Sequence, residues 1–268
     1  DYHPAVTTLW ILTLAFLSYF PGYRLVGKLT EKYWQVDDLF RKYDKLPLRL
    51  LLHGRILSVL ATGALWVVSF LLLNLMVGLG AALLVAGMLA LDPFILGHSR
   101  LLNHEAMMAA FILLSLFAAL VYLYPRRQWR YLLLSGAACG FALLTKSPAI
   151  VLLPLVGLAF LVRFIDERRL SPHKGKLLAT YAGAFLAWLA VILLVFFIFW
   201  PGMWVDPAKM LVAVFGNALS YGLQGGRLSV TQELRPAGFS LDFAGVTHYL
   251  KVVALKTIIA ADEMQFES

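Results

Sequence analysis

The chain has 268 residues, of which 61% are hydrophobic and 14% charged, and its mean hydropathy is +0.79. Soluble domains are nearer half apolar and a quarter charged, so this composition excludes an ordinary soluble domain. The formal net charge is +8 at pH 7. Because no basic stripe is interleaved with aromatic residues in a polar segment, we attribute this charge to membrane topology and contact with anionic lipid, and we expect no nucleic-acid partner.

Uncharged apolar runs of about 20 residues recur along the chain, which is typical of membrane-spanning helices and not of the alternating strands of a barrel. We therefore expect an all-α, polytopic transmembrane helical bundle. The single cysteine, Cys139, lies in an apolar run and excludes an intrachain disulfide. DYHPAVTT lacks the features of a signal peptide, and a new apolar stretch begins near Tyr249, so we interpret the chain as part of a longer protein.

The first 45 residues predict elements at the membrane surface. Residues 5–20 are apolar but short for a span, so we expect a helix lying on or dipping into the membrane. Thr30 is a candidate N-cap for an interfacial amphipathic helix that continues to Tyr43. Asp37 and Asp38 on this helix could be catalytic or bind a metal, but pairing with neighbouring Arg and Lys residues on a solvated face is the favoured interpretation.

Six crossings are expected after this segment, and small residues in the fourth favour close helix packing. The crossings are residues 46–76, 81–91, 106–124, 131–145, 149–162 and 177–200, and the small residues are Gly136, Ala137, Ala138 and Gly140. Beyond them, Asp206 is predicted to be the N-cap, and not a catalytic acid, of a helix that starts at Pro207 and lies on the outer membrane surface.

Lysine and arginine are densest in residues 125–130 and 163–176, which predicts that these segments are cytoplasmic. Segment 24–45 is also basic, but acids balance its charge. We therefore divide the chain into an extracytoplasmic loop with juxtamembrane helices (1–45), a transmembrane core (46–200), and an extracytoplasmic loop with the start of a further span (201–268). The interfacial helices then face outward, and the protein is a multi-pass protein of the plasma or inner membrane.

Residues 92–105, DPFILGHSRLLNHE, gather charged side chains between two apolar runs. Charges at the ends of membrane helices are costly when they enter the bilayer, and they often mark a functional site. The alternative is a polar loop in which Arg100 reaches lipid phosphate. On the same outer face we expect the acids Asp1, Asp92 and Glu105 and a second isolated cation, Lys146.

This mixture of acids and isolated cations suits an enzyme that takes a sugar from a polyprenyl phosphate. A carboxylate removes the proton of the acceptor hydroxyl, and cations stabilise the departing phosphate. A rival hypothesis is a transporter or flippase of a lipid-linked substrate, which predicts inverted repeats and charges near mid-membrane. No repeat is evident, and the charges gather at one face. A structural membrane subunit would leave the charge cluster unexplained.

Four stretches, in chain order, resemble motifs of one enzyme family. DYHPAVTTLW resembles the Asp-x-His-Pro-Pro segment in the first outer loop of protein O-mannosyltransferases, and HSRLLNHEAMMAAFILLSL resembles their Ser-Arg-x-x-x-x-Asp motif. GFALLTKSPAIVLLP is similar to a Gly-x-x-x-x-x-Lys stretch shared with bacterial aminoarabinose transferases, and FWPGMWVDPAKML to a stretch of the bacterial relatives. The chain thus resembles a bacterial member of the dolichyl-phosphate-mannose-protein mannosyltransferase-like, GT-C-fold glycosyltransferases.

The resemblance implies a GT-C-like bundle that transfers a sugar from a polyprenyl-phosphate donor to a protein, lipid or glycan acceptor, with membrane lipids around it. It implies that Arg100 and Lys146 bind the donor phosphate, and that Glu105 positions Arg100 or contacts the acceptor or a metal. Asp1 is a second candidate acid, catalytic or supporting. The candidate supporting residues are His3, His98, Ser99 and His104.

The chain departs from the family pattern at two positions. Ala5 follows Pro4 where the family has a second proline, and Glu105 stands near the family's aspartate. The acids regarded as catalytic in the eukaryotic members precede the His-Pro segment, so the resemblance leaves two alternatives for the general base, namely the catalytic candidates Glu105 and Asp1 or an acid upstream of residue 1. His98, His104 and Glu105 form a weak candidate site for a divalent metal, the one cofactor that we consider.

Overall fold

The computed structural model describes residues 5–20, 40, 46–99, 104–170, 174–208 and 210–212. All of them belong to the unit Asp1–Val214. About 91% of these residues are helical and none lies in a strand, which confirms the prediction of an all-α protein. The amphipathic helix expected near residues 30–43 and the segment after residue 212 lie outside the described residues, and the three-part division of the chain stays a prediction.

The described helices account for most of the predicted elements. They are α1 (Val6–Tyr19), α2 (Pro47–Val77), α3 (Leu79–Ala90), α4 (Pro93–Ser99), α5 (Glu105–Leu123), α6 (Trp129–Thr145), a 3-10 helix (Ser147–Val151), α7 (Leu152–Leu170), α8 (Lys174–Phe199) and α9 (Gly202–Val205). Four stretches of the described chain are long and apolar enough to cross a membrane, namely α2, α5, the 3-10 helix with α7, and α8. The polytopic membrane fold is therefore confirmed.

Helix α3 is shorter than the crossing expected over residues 81–91. It has 12 residues, and at about 1.5 Å per residue its length of about 18 Å is well short of a hydrocarbon core of about 30 Å. This helix alone therefore does not cross the membrane. Helix α6, with 17 residues, is at the lower limit of a spanning helix.

Two segments expected as loops contain helix. Helix α7 continues to Leu170, beyond the predicted end at residue 162, and Arg163 and Glu167 form an i,i+4 ion pair at 3.0 Å along it. Part of the 92–105 loop is the seven-residue helix α4. The carboxylate of Asp92 accepts the backbone N–H of Ile95 at 3.0 Å, and Pro93 is the first helical residue.

The centre of the bundle is an antiparallel hairpin of α5 and α6, with α6 also packed against α8. A Cβ atom added to Gly136 would lie 2.9 Å from Val191 Cβ, and one added to Gly140 would lie 2.8 Å from Val195 Cβ. Real Cβ contacts are longer than this, so α6 and α8 approach as closely as glycine permits. The predicted close packing through small residues of α6 is confirmed.

A polar cluster lies inside this apolar core. Ser115 of α5 donates a hydrogen bond to the backbone carbonyl of Ser135 at 2.9 Å, and Trp188 Nε1 of α8 donates to Ser135 Oγ at 3.0 Å. All three side chains are fully buried. Ser135 therefore joins the three central helices, and each bond satisfies a donor that has no access to water.

We expect Ser135→Ala to lower the free energy of unfolding by about 1–3 kcal/mol, because Trp188 Nε1 would lose its acceptor inside the core. The matched control is Ser69→Ala, since buried Ser69 donates only to Leu65 of its own helix, at 2.8 Å. Thermal unfolding of the detergent-solubilised protein, followed by circular dichroism, measures both. An equal shift in the two variants would contradict the interhelical role of Ser135.

The bundle has two polar ends. Arg127 Nη1, in the turn between α5 and α6, lies 3.2 Å from Glu167 Oε2 near the end of α7. The described residues of segments 125–130 and 163–176 therefore share one end, which we call the arginine end. Helix α5 has 19 residues, so Glu105 at its start lies about 28 Å from this end. Which end faces the cytoplasm stays a prediction.

Candidate functional site

Glu105 and Lys146 form an ion pair at the end of the bundle opposite the arginine end. Glu105 is the first residue of α5, and Lys146 directly follows the last residue of α6. The hairpin brings these two positions together, and Lys146 Nζ donates a hydrogen bond to Glu105 Oε1. Each charge also suits its place, since an acid is favoured at a helix N-terminus and a cation at a C-terminus.

The pair remains accessible to a ligand. The side chains of Glu105 and Lys146 are 34% and 23% exposed. A surface pair in water contributes little to stability, whereas a pair beside apolar packing is screened less and interacts more strongly with a third charge. An incoming phosphate can therefore compete with the carboxylate for Lys146.

The structure brings together some of the residues predicted from the sequence. Lys146 and Glu105 meet directly, and His104 precedes Glu105 with its Nδ1 atom 3.0 Å from Thr8 Oγ1. His98 is half-buried in α4. The remaining candidates lie outside the described part of the chain, and these are Asp1, His3, Arg100 and the side chain of Ser99.

Two threonines in the first turn of α1 reach the site, and the sequence analysis missed them. Thr145 donates its hydroxyl proton to the carbonyl of Phe141 at 2.6 Å, so Thr7 is the donor in its own 2.6 Å hydrogen bond with Thr145 Oγ1. Thr8 Oγ1 shares a hydrogen bond with His104 Nδ1. Their signal in the sequence was a pair of adjacent hydroxyls that directly follows DYHPAV and opens an otherwise apolar helix.

The backbone before these threonines is strained. Ala5, the N-cap of α1, has φ 44° and ψ 22°, a left-handed conformation that costs an alanine about 1–2 kcal/mol. Among the described residues it is the only one other than glycine with a positive φ. Strain of this kind persists where surrounding contacts fix the backbone. The hydrogen bonds of Thr7 and Thr8 supply such contacts.

Aromatic rings pack inside the bundle next to this end. Phe141 stacks on Phe111 at 5.5 Å and meets the edge of Phe199 at 4.8 Å. Trp10 Nε1 of α1 donates to the carbonyl of Phe199 at 2.8 Å. The end of α8 is therefore joined to α1 and α6 near the ion pair.

The described residues do not fit a metal centre. Within them, no three His, Cys, Asp or Glu side chains gather closely enough to hold a metal ion. Glu105 is engaged by Lys146, and His104 Nδ1 by Thr8. The arrangement instead offers one cation and one carboxylate side by side, which can bind a phosphate oxygen and accept a proton.

Comparison with known proteins is consistent with this chemistry. The family model described as Dolichyl-phosphate-mannose-protein mannosyltransferase matches residues 46–205, more than half of the chain. The matched region includes Glu105 and Lys146 and excludes α1. No curated protein and no solved structure matches the chain significantly. The chain therefore belongs to the dolichyl-phosphate-mannose-protein mannosyltransferase family, and it is a membrane glycosyltransferase of the mannosyltransferase kind.

Proposed function

We propose that the protein transfers a sugar from a polyprenyl-monophosphate donor to an acceptor hydroxyl at the end of the bundle that carries Glu105 and Lys146. The observation that carries this proposal is the accessible ion pair between these residues, inside the region that matches the family. The pair offers a cation for a leaving phosphate and a carboxylate for a departing proton. The same proposal assigns the protein a GT-C fold.

The reaction needs both groups. The acceptor oxygen attacks the anomeric carbon of the sugar from the side opposite the phosphate, which inverts its configuration. The bond between that carbon and the phosphate oxygen breaks, and its electron pair leaves on the polyprenyl phosphate. A carboxylate takes the acceptor proton. Lysine stabilises the charge that grows on the departing oxygen.

The ion pair suggests an order for these events. Before the donor arrives, Glu105 holds the Lys146 ammonium at the rim of the bundle. A donor phosphate then draws Lys146 away, because the phosphodiester carries one negative charge and gains a second as its bond to the sugar breaks, whereas the carboxylate carries one. Glu105 is released by this exchange and can accept the acceptor proton. Arg100, which can bind two phosphate oxygens, is the proposed second cation, and Asp1 is the alternative base.

We propose that this end faces the extracytoplasmic side. The arginine end carries most of the net positive charge of the described residues, and basic segments are retained in the cytoplasm. Helix α1 then lies beside the active site. The proposed location is the plasma or inner membrane, and the acceptor is a protein, lipid or glycan hydroxyl.

Sealed vesicles that contain the full-length protein provide the test. With a radiolabelled polyprenyl-phosphate mannose supplied, label is expected to move from the lipid to an acceptor. Glu105→Gln is expected to lower the rate by about 10²–10⁴-fold, the usual contribution of a general base. Glu167→Gln at the arginine end is the matched control. Label that crosses the bilayer still attached to its lipid would establish a transporter or flippase instead.

A further inference from the structure

We infer that Thr7 and Thr8, in the first turn of α1, are positioning residues that hold the two sides of the transfer site at a fixed separation. Thr7 binds the residue next to Lys146, and Thr8 binds the residue next to Glu105. The inference rests on the proposed function, because it assigns these threonines a part in the same reaction.

The first contact fixes the lysine side. Thr7 donates to Thr145 Oγ1 at 2.6 Å, and both side chains are buried. Thr145 is the last residue of α6, so its position sets where the chain leaves the helix and where Lys146 begins. A hydrogen bond shielded from water is stronger than the same bond in solvent. Thr7 therefore fixes the helix end that carries the lysine.

The second contact fixes the carboxylate side. Thr8 Oγ1 and His104 Nδ1 share a hydrogen bond of 3.0 Å, and Thr8 is buried. His104 is the N-cap residue of α5, directly before Glu105. Since Thr7 and Thr8 are neighbours on one rigid helix, the distance between their two partners is set by α1. The spacing of the ion pair follows from that distance.

The third threonine of α1 provides a comparison, because its hydroxyl makes a hydrogen bond within its own helix. Thr13 is exposed and donates to Leu9 of its own helix at 2.8 Å. Thr7 and Thr8 bind partners 138 and 96 residues away. Packing of an apolar helix against its neighbours requires apolar contact, but it does not require hydrogen bonds between side chains of different helices. The two cross-helix bonds at one end of an apolar helix indicate positioning of the site.

Thr7→Val and Thr8→Val in the full-length protein test the inference, with Thr13→Val as the matched control. Each change keeps the side-chain shape and removes the hydroxyl. We expect kcat for sugar transfer to fall by about 10–100-fold in the first two variants, since a displacement of about 1 Å can cost 10²-fold. Donor KM is expected to change by less than about 3-fold, because the threonines contact the helix ends that carry Glu105 and Lys146 and do not contact the donor.

Thr7→Ser and Thr8→Ser are expected to restore kcat, since serine keeps the hydroxyl. His104→Asn, which keeps a hydrogen-bonding atom near the position of Nδ1, is expected to retain more activity than His104→Ala. If Thr8 acts through His104, the Thr8→Val, His104→Ala double variant loses no more kcat than the worse single variant. Additive losses would contradict the pairing.

The outcomes separate this inference from the proposed function. If the wild-type protein transfers no label, the proposed function fails. If it transfers label but Thr7→Val and Thr8→Val match Thr13→Val in kcat, the inference alone is overturned. A lower thermal unfolding temperature with unchanged kcat would likewise show that the threonines serve stability only.

Discussion

Lys146→Ala is expected to lower the rate of sugar transfer by about 10²–10³-fold, the usual cost of removing one group that stabilises charge in a transition state. Lys146 is the described cation that pairs with the carboxylate of the site. Without its ammonium group, the negative charge that grows on the departing phosphate is poorly stabilised. Initial rates with a radiolabelled donor, at donor concentrations well below and well above KM, measure the loss.

The alanine variant also removes the Lys146 ammonium from Glu105, so a second variant must distinguish the loss of charge from a loss of folding. The double variant Lys146→Gln with Glu105→Gln keeps polar groups of similar size and no net charge. We expect it to unfold at nearly the wild-type temperature, because a partly exposed ion pair contributes only about 0–1 kcal/mol, and yet to transfer almost no sugar.

Two further variants define the role of the charge. Lys146→Arg keeps the cation but alters its geometry, so partial activity is expected. Lys174→Gln removes an exposed lysine at the start of α8, at the arginine end, and is the matched control. A transfer rate close to wild type in the double glutamine variant would contradict a phosphate-binding role for Lys146.

The spanning helices could be predicted from the sequence because long uncharged runs have one stable conformation in a membrane. Helices α2, α5 and α8 each begin and end within about three residues of the expected positions. One error occurred where charged residues continued a helix. The segment from Arg163 to Leu170 was interpreted as a loop, although arginine and glutamate are good helix formers and Arg163 pairs with Glu167.

The site could be predicted only in part. Glu105 and Lys146 were both selected from the sequence, but their pairing depends on the α5–α6 turn, which joins positions 41 residues apart. Glu105 and Lys146 lie at nearly equal distances along the sequence from the turn at residues 124–128. A prediction that placed this turn correctly would therefore also have predicted that the two residues meet. The contacts of Thr7 and Thr8 depend on the packing of α1 against distant elements, and no local pattern specifies that packing.

The close approach of α6 and α8 predicts a large effect on stability. Gly136→Ala would place a Cβ atom 2.9 Å from Val191 Cβ and 3.0 Å from the backbone oxygen of Trp188. A side chain can turn away, but a backbone oxygen in a packed helix cannot. We expect a loss of about 1–3 kcal/mol in the free energy of unfolding, typical of an overpacked core. Unfolding in detergent, followed by circular dichroism, measures it.

Gly183→Ala, on α8, is the matched control, because nothing lies within 4 Å of its added Cβ atom. That variant is expected to gain about 0.5–1 kcal/mol, since alanine is a better helix former than glycine. Opposite signs for the two substitutions would show that Gly136 is required by interhelical distance and not by backbone freedom. If Gly136→Ala also stabilised the protein, the helices would lie further apart than described, and the bond from Trp188 to Ser135 could not form at 3.0 Å.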